Sequence, residues 1–348
     1  MLLVPGSTHA LTTRVTLAGS GEDQPGWAEL VRDEGLVALW DHDLLQLSAL
    51  SPTPWCPTFT AAVRHGDTIV GAFVGSYRGV RPHAAPSRLE PVLVDMRMPG
   101  QGHEASWAFR SGLTRPQRAD VVRAFERGVV RALGRTRLAG IAYRNVTDDD
   151  LPDLRRRGAV VSQAQGQGTV MPLPATFEEW FAGLSKKRRK SLRRLGPMIE
   201  SQVRVEFGNA RTDVDPQAVA DLLVAMIERN APLRVDPRPH MPAAYFAALM
   251  ARDDVRTITY HQGERLVAVG TLLEHPRHPW GSYWAMVHPR DGGVPHLYFD
   301  HFLRYARHAI DSGAETLSSG RGFVDDKVSV GFDVTPLSFV GVPRPFLG

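Results

Sequence analysis

The strongest constraint on the fold is a sequence pattern that occurs twice. Residues 64–71, RHGDTIVG, and residues 261–268, HQGERLVA, share the order polar, Gly, acid, polar, aliphatic, Val, small. Both lie between β-rich runs, and the glycine of each, Gly66 or Gly263, can supply the positive φ that a tight hairpin turn demands. The pattern predicts two equivalent antiparallel hairpins, one in each half of the chain.

The elements after each hairpin also correspond, because a strand, an amphipathic helix and a second strand follow in both halves. The segments are Glu90–Met96, a helix burying Val122, Phe125, Val129 and Leu133, and Leu138–Tyr143 in the first half; Ser282–Val287, a helix burying Phe299, Phe302 or Leu303, Ala306 and Ile310, and Glu315–Ser319 in the second. The prolines of Met171–Pro174 interrupt helix and strand alike. We therefore predict a mixed α/β (α+β) fold with two domains, residues 1–171 and 172–348, each a mixed sheet flanked by helices.

Composition restricts the class of protein without identifying it. The chain has 348 residues, with 43% hydrophobic and 22% charged content, which is ordinary for a globular protein of two domains. The single cysteine, Cys56, cannot close an intramolecular disulfide, and residues 1–13 lack the basic start and apolar run of a leader. No stretch approaches the roughly 18 to 20 apolar residues of a spanning helix. We expect a cytoplasmic protein, and the net charge of +4 permits an acidic partner.

Three stretches resemble a known superfamily: 177–194, the predicted helix His296–Gly313, and Lys327-x-x-x-Gly331-Phe332. With the hairpin, the strand and the Gly turn, they resemble the GNAT acyltransferase fold, and specifically the tandem-GNAT group that includes the Fem-type peptidyl transferases. The likeness covers about residues 175 to 340. It implies an amide-forming N-acyltransferase with an amine acceptor. Its donor would be acyl-CoA, an acyl carrier protein or aminoacyl-tRNA, and no DNA, metal or tightly bound cofactor is implied.

The turn after the fourth strand is where GNAT relatives hold the pyrophosphate of coenzyme A. Their pattern is Arg or Gln, two residues, Gly, one residue, then Gly or Ala, and Arg290, Gly292, Gly293 and Val294 fit it in place and spacing. Pro295 departs from it and has no N–H to donate. Either coenzyme A binds more weakly here, or the donor is held differently, or Pro295 simply begins the next helix.

The densest charge in the chain is the run 186–190, KKRRK, with Arg193 and Arg194 after it. Such a run is often a solvated helix face. Arg188, however, falls on a predicted apolar stripe, where an arginine needs a buried acid or a bound anion. The other six basic residues of the run point outward and could meet coenzyme A phosphates, an acidic carrier protein or a tRNA acceptor stem. We assign Arg188 and Arg193 to donor binding.

Amide formation requires a base for the amine and stabilisation of the oxyanion. The resemblance implies that Lys327 stabilises the carbonyl oxygen, and the alternative is a salt bridge to Asp325 or Asp326. Glu274 and His288 end or follow neighbouring strands and are candidate bases. Their alternatives are a strand-end surface acid and a turn residue.

Tyr283 and Trp284 are predicted to contact substrate in a cleft between the two modules, beside the basic helix; sheet packing is the alternative for Tyr283. The thirteen histidines show no metal-ligand spacing with cysteine. Two functions remain open: an acyltransferase whose first module is a degenerate copy, or a binding protein that kept the fold and lost the chemistry.

Overall fold

A computed structural model describes residues 10–50, 56–79, 87, 90–99, 102–230 and 240–348. Residues 1–9, part of the stretch that was expected to lack a leader, lie outside the described residues. The strands are β1 Leu11–Leu17, β2 Thr58–His65, β3 Thr68–Gly79, β4 Val92–Met96, β5 Trp107–Phe109, β6 Leu138–Val146, β7 Val160–Pro172, β8 Arg204–Asn209, β9 Val255–Gln262, β10 Arg265–Leu273, β11 Trp280–Met286, β12 Thr316–Ser318 and β13 Asp333–Pro343. The helices are α1 Trp27–Asp33, α2 His42–Gln46, α3 Arg115–Leu133, α4 Leu151–Leu154, α5 Phe177–Gly183, α6 Lys186–Glu200, α7 Pro216–Asn230, α8 Ala243–Met250, α9 Leu297–Asp311 and α10 Val324–Val328.

Both predicted hairpins are present and share one geometry. β2 pairs with β3 and β9 with β10, each across a two-residue turn whose first residue is the glycine. Gly66 has φ 59° and Gly263 has φ 60°, the left-handed region that favours glycine in such turns. In each hairpin the register shifts within three residues of the turn. This shared geometry supports the interpretation of the two halves as copies of one module.

The strands form one sheet within the described part of the chain. Its order is β1-β2-β3-β4-β6-β13-β7-β12-β11-β10-β9-β8, and β5 pairs with β3. Most neighbours are antiparallel, but β4 with β6 and β11 with β12 are parallel, so the sheet is mixed. Long helices such as α3 and α9 pack against it. The predicted fold class is confirmed.

The pairing of two strands bears on where one half ends. β7 pairs with β12 and β13, which both come from the second half. β13 also pairs with β6, so the last strand of the chain joins the two halves of the sheet. By hydrogen bonding, β7 therefore goes with the second half, although it precedes the predicted join. The limits 1–171 and 172–348 stay a prediction.

The two parallel strand pairs differ in a way that matters for function. β4 and β6 stay together over five register pairs, from Val92–Leu138 to Met96–Tyr143. β11 and β12 share one, Trp280–Ser318, after which β11 continues for six residues without that partner. The sheet therefore opens in the second half at a place where it stays closed in the first.

The halves are also joined through side chains. Leu39 and Leu44 of the first half belong to the apolar cluster that α7 and α8 form on one face of the sheet. Arg252 adds an ion pair with Asp41 at 2.8 Å. In the described ranges, no helix combines the length and the apolar character needed to cross a membrane.

Candidate active site

The opening between β11 and β12 is bordered by aromatic side chains. The Trp284 ring stacks on His301 of α9, with centroids 4.1 Å apart and planes at 17°. Tyr283 lies on the opposite face, because successive strand residues alternate sides. Its hydroxyl is 3.2 Å from that of Tyr245, and its ring packs on Phe246. The structure thus separates Tyr283 from Trp284, which were expected in one cleft; their substrate roles stay predictions.

Lys327 lies in α10 with 3% of its surface exposed. Its Nζ donates to the carbonyl oxygens of Ser319 and Gly320, just beyond the end of β12. The Thr169 hydroxyl donates to the same oxygens, at 3.0 and 2.8 Å. No ion pair of Lys327 occurs among the residues described, so the expected alternative, a salt bridge to a neighbouring aspartate, is not found.

The protonated form of Lys327 is disfavoured because the side chain is buried and, within the described residues, has no carboxylate partner. Burial lowers the pKa of this ammonium group from 10.5 to about 7. Burial also lowers the pKa of His301 to about 3, and the nearby charge of Lys327 adds to that effect. At neutral pH the site therefore holds a neutral imidazole and a lysine that gains or loses its proton easily.

Glu274, a predicted base, is placed elsewhere. It binds His308 Nε2 at 2.9 Å and Arg256 Nε at 2.7 Å. Burial alone would raise its pKa, but hydrogen bonds from His308 and Arg256 outweigh that effect and lower it. His308 follows His301 by seven residues on α9, roughly 10 Å along the helix axis. The structure does not bring Glu274 to Lys327, and its catalytic role stays a prediction.

His288 and the Gly turn form one compact unit. The His288 ring accepts a hydrogen bond from the Arg290 amide at 3.1 Å and so caps a short turn. The amides of Gly292 and Gly293 donate to carbonyls of that turn, at 3.3 and 3.0 Å. Pro295 lies two residues before α9 begins. These glycine amides are therefore engaged within the turn, which leaves the start of α9 as the source of free N–H groups.

Gly293 should be intolerant of any side chain. A Cβ there would lie 2.0 Å from the Val287 carbonyl oxygen, closer than any real contact. We expect Gly293→Ala to force the turn open and lower the free energy of unfolding by about 1 to 3 kcal/mol. Thermal melts should show a lower melting temperature than for Gly322→Ala, where nothing lies within 4 Å.

A positively charged pocket lies between α6 and the start of α9. It is open to solvent, has a volume of about 330 Å³ and is lined by Lys187, Lys190, Ser191, Arg194, Leu195, Met198 and His296. His296 is the residue before α9, and no side chain caps that helix. The free N–H groups and the helix dipole at such an end favour an anion. The pocket thus combines a helix start with three cationic side chains.

Arg188 and Arg193, the predicted donor contacts, are not among the residues that line this pocket. Arg188 donates to Ser329 Oγ at 2.5 Å, and its guanidinium lies 4.2 Å from the centre of the Phe299 ring. An acid or a bound anion was expected as its partner; the protein groups that contact it are a hydroxyl and an aromatic face, and the side chain is half-buried. The Arg193 guanidinium lies over Phe181 at 5.4 Å. Their donor roles stay predictions.

Sequence reasoning missed several residues around Lys327 and in the pocket. Thr169 belongs to no segment that was interpreted from the sequence, and His296 and His301 belong to a predicted helix whose histidines were given no role. Arg194 was part of the basic run considered for phosphate contact, but it was not chosen as a site residue. The helical repeat of Lys190, Arg194 and Met198, at spacings of four, could have indicated one shared face of α6. The sequence around Thr169 contains no motif that could have predicted its contact with the carbonyl oxygens that Lys327 also binds.

Comparison with known proteins agrees with this geometry. Residues 186–327 match the model of the acetyltransferase (GNAT) domain. No curated protein matches the chain in sequence. Three similar solved structures are FemX (12% identity, 89% of this chain and 97% of that one, TM-score 0.55), a tandem GNAT protein from the clavulanic acid biosynthesis pathway (13%, 96% and 99%, 0.54), and L-PGS from Bacillus licheniformis (9%, 92% and 92%, 0.51).

These likenesses extend over both halves of the chain, whereas the domain match lies in the second. At such low identity the structures establish the fold. The predicted resemblance to GNAT acyltransferases and Fem-type proteins is therefore confirmed. The chain has the fold of tandem GNAT proteins, and its residues 186–327 match the GNAT domain model.

Proposed function

We propose that the protein is an N-acyltransferase that moves an acyl group from a phosphate-bearing donor to an amine, with its reaction centre at Lys327. The observation that carries this proposal is a buried lysine, with no carboxylate partner among the residues that the structure describes, beside a parallel strand pair that parts after one register pair. An ammonium in that position suits a carbonyl oxygen that becomes negative. The GNAT domain match over the same segment supports this reading.

The reaction forms one bond and breaks one. The amine nitrogen attacks the acyl carbon, and the carbonyl oxygen takes up negative charge. Lys327 donates to that oxygen, which is worth more in a buried site than in water. The bond to sulfur or oxygen of the donor then breaks, the leaving group takes up a proton, and nitrogen loses one.

The donor's phosphates fit the pocket between α6 and α9. Its cationic lining consists of Lys187, Lys190 and Arg194, and no acid of the described residues forms an ion pair with them. The donor remains one of three: acyl-CoA, an acyl carrier protein or aminoacyl-tRNA. A cytoplasmic location would suit all three.

The test uses hydroxylamine as a general acceptor, since its acylation gives a coloured hydroxamate with ferric ion. The purified protein is incubated with acetyl-CoA, acetylated carrier protein or aminoacyl-tRNA in parallel. Lys327→Met measures the background reaction. Hydroxamate above that background with one donor supports the proposal. A donor that binds but yields no hydroxamate would favour the alternative, a binding module without catalytic activity.

A further inference from the structure

One loop of the first half reaches the place where β11 and β12 part. His103 lies on Trp280, the β11 residue paired with Ser318, with ring centroids 4.7 Å apart. It also covers Gly168 of β7, where a Cβ would stand 2.6 Å from His103 Cδ2. Because Gly168 has no side chain, the imidazole can lie directly against the backbone beside Thr169, which shares two carbonyl partners with Lys327.

Asn145 of β6 holds this loop from both sides of the histidine. Its Nδ2 donates to the carbonyl oxygens of Gly102, at 3.4 Å, and Glu104, at 3.1 Å. Its Oδ1 accepts from Arg321 of the second half at 3.3 Å. Asn145 has φ 58°, at a register shift between β6 and β13. Left-handed backbone and bulges persist where the surroundings enforce them, often where a side chain must be aimed at a site.

His103 is chemically suited to meet an amine. It is 7% exposed, and its Nδ1 has no hydrogen-bond partner in the part of the chain that the structure describes. Burial, followed by the charges of Lys327 and Arg321, lowers its pKa to about 3. The ring is thus neutral and can accept a hydrogen bond. The same two cations disfavour an ammonium nearby and so favour the neutral, nucleophilic form of an amine.

We propose that His103 contacts the acceptor amine, so that the reaction centre is built from both halves of the chain. This inference rests on the proposed acyl transfer. As the nitrogen–carbon bond forms and the donor's carbon–sulfur or carbon–oxygen bond breaks, the imidazole takes the proton from nitrogen and in the same step a proton passes to the leaving group, directly or through solvent. The ring therefore stays neutral, as its low pKa requires. The first half would be a working part of the enzyme.

The first experiment compares His103→Gln with His42→Gln, a control in the same half whose ring packs on Trp27. With hydroxylamine as acceptor and whichever donor is active, we expect His103→Gln to lower kcat at least 10²-fold with an unchanged KM for the donor. His42→Gln should match the wild type. A His103→Gln enzyme within threefold of wild-type kcat would overturn the inference and leave the proposed function standing.

A second variant moves His103 without removing it. In Gly168→Ala, the new methyl group must displace the His103 imidazole. We therefore expect kcat to fall at least tenfold while the KM for the donor stays unchanged. Circular dichroism checks that both variants fold. Full activity in folded Gly168→Ala would count against contact between His103 and substrate.

A binding measurement separates failure of this inference from failure of the proposed function. Hydroxylamine is titrated into the wild-type protein while the imidazole carbon resonances are followed by NMR, that of His103 being identified by its loss in His103→Gln. We expect the His103 resonance to move and the His42 resonance to stay. A His103 resonance that does not respond overturns the inference even if no donor is active.

Discussion

Replacing Lys327 with methionine is expected to lower kcat by roughly 10² to 10³ with little change in KM, because a lost oxyanion donor acts on the transition state. Methionine keeps the length of the side chain and removes its charge. Thr169 still donates to the two carbonyl oxygens that Lys327 contacts, so the end of β12 retains a partner. Steady-state kinetics with the active donor measures the effect.

The stability of the same variant should change with pH in a direction that identifies a buried lysine. The native pKa of about 7 lies below the ordinary 10.5, so between these values the unfolded chain binds more protons than the native protein. Wild-type stability therefore falls as pH is lowered from about 10.5 to 7. The full cost is on the order of 5 kcal/mol, because each unit of the pKa difference corresponds to about 1.4 kcal/mol.

Lys327→Met lacks this cost. Its melting temperature relative to wild type should rise as pH falls from about 10 to 7 and then level off. A variant with normal turnover that melts lower than wild type at every pH would make Lys327 a structural residue. A slow variant that melts as high as wild type, or higher, would show that a functional group is kept at the expense of stability.

Local features could be predicted where backbone geometry or helical periodicity determines them. Gly66 and Gly263 predict their hairpins, because few residues other than glycine adopt the positive φ that these turns require. α9 begins and ends within two residues of the predicted limits, since an apolar stripe, Gly313 and the preceding turn define it. Lys327 was found only through its resemblance to a motif, and its burial has no signal of its own in the sequence.

Other features depend on contacts between distant parts of the chain. The Arg321–Asn145 hydrogen bond joins residues 176 positions apart. The apolar stripe on which Arg188 was placed assumed one continuous helix over residues 177–194. The structure instead has two helices, α5 and α6, and the Ser185 hydroxyl caps the second. The Gly turn matched a phosphate-binding pattern, yet its glycine amides donate within the turn. A motif fixes the residues of a turn and leaves open which of its amides are free.

The pocket between α6 and α9 makes the last prediction, which concerns the donor. Lys190→Glu combined with Arg194→Glu reverses two charges that line the pocket. Each reversal near a phosphate costs about 1 to 2 kcal/mol at the protein surface, so we expect the donor's Kd to rise roughly 30- to 10³-fold. Both residues are exposed, and the fold should be unaffected.

Arg193→Glu and Arg290→Glu are the matched controls, because both side chains are exposed and neither lines the pocket. If either single variant weakens donor binding as much as the double variant does, the phosphates lie along the outer face of α6 or at the Gly turn.

The salt dependence of donor binding then distinguishes the three donors. Binding of aminoacyl-tRNA should lose about 1 to 2 from the slope of log K against log salt in the double variant, since each phosphate contact contributes about 0.7 to 0.9. Acetyl-CoA, with few phosphates, should show a shallow slope before and after the change. A steep slope that the double variant leaves intact would place the nucleic-acid contacts on another surface.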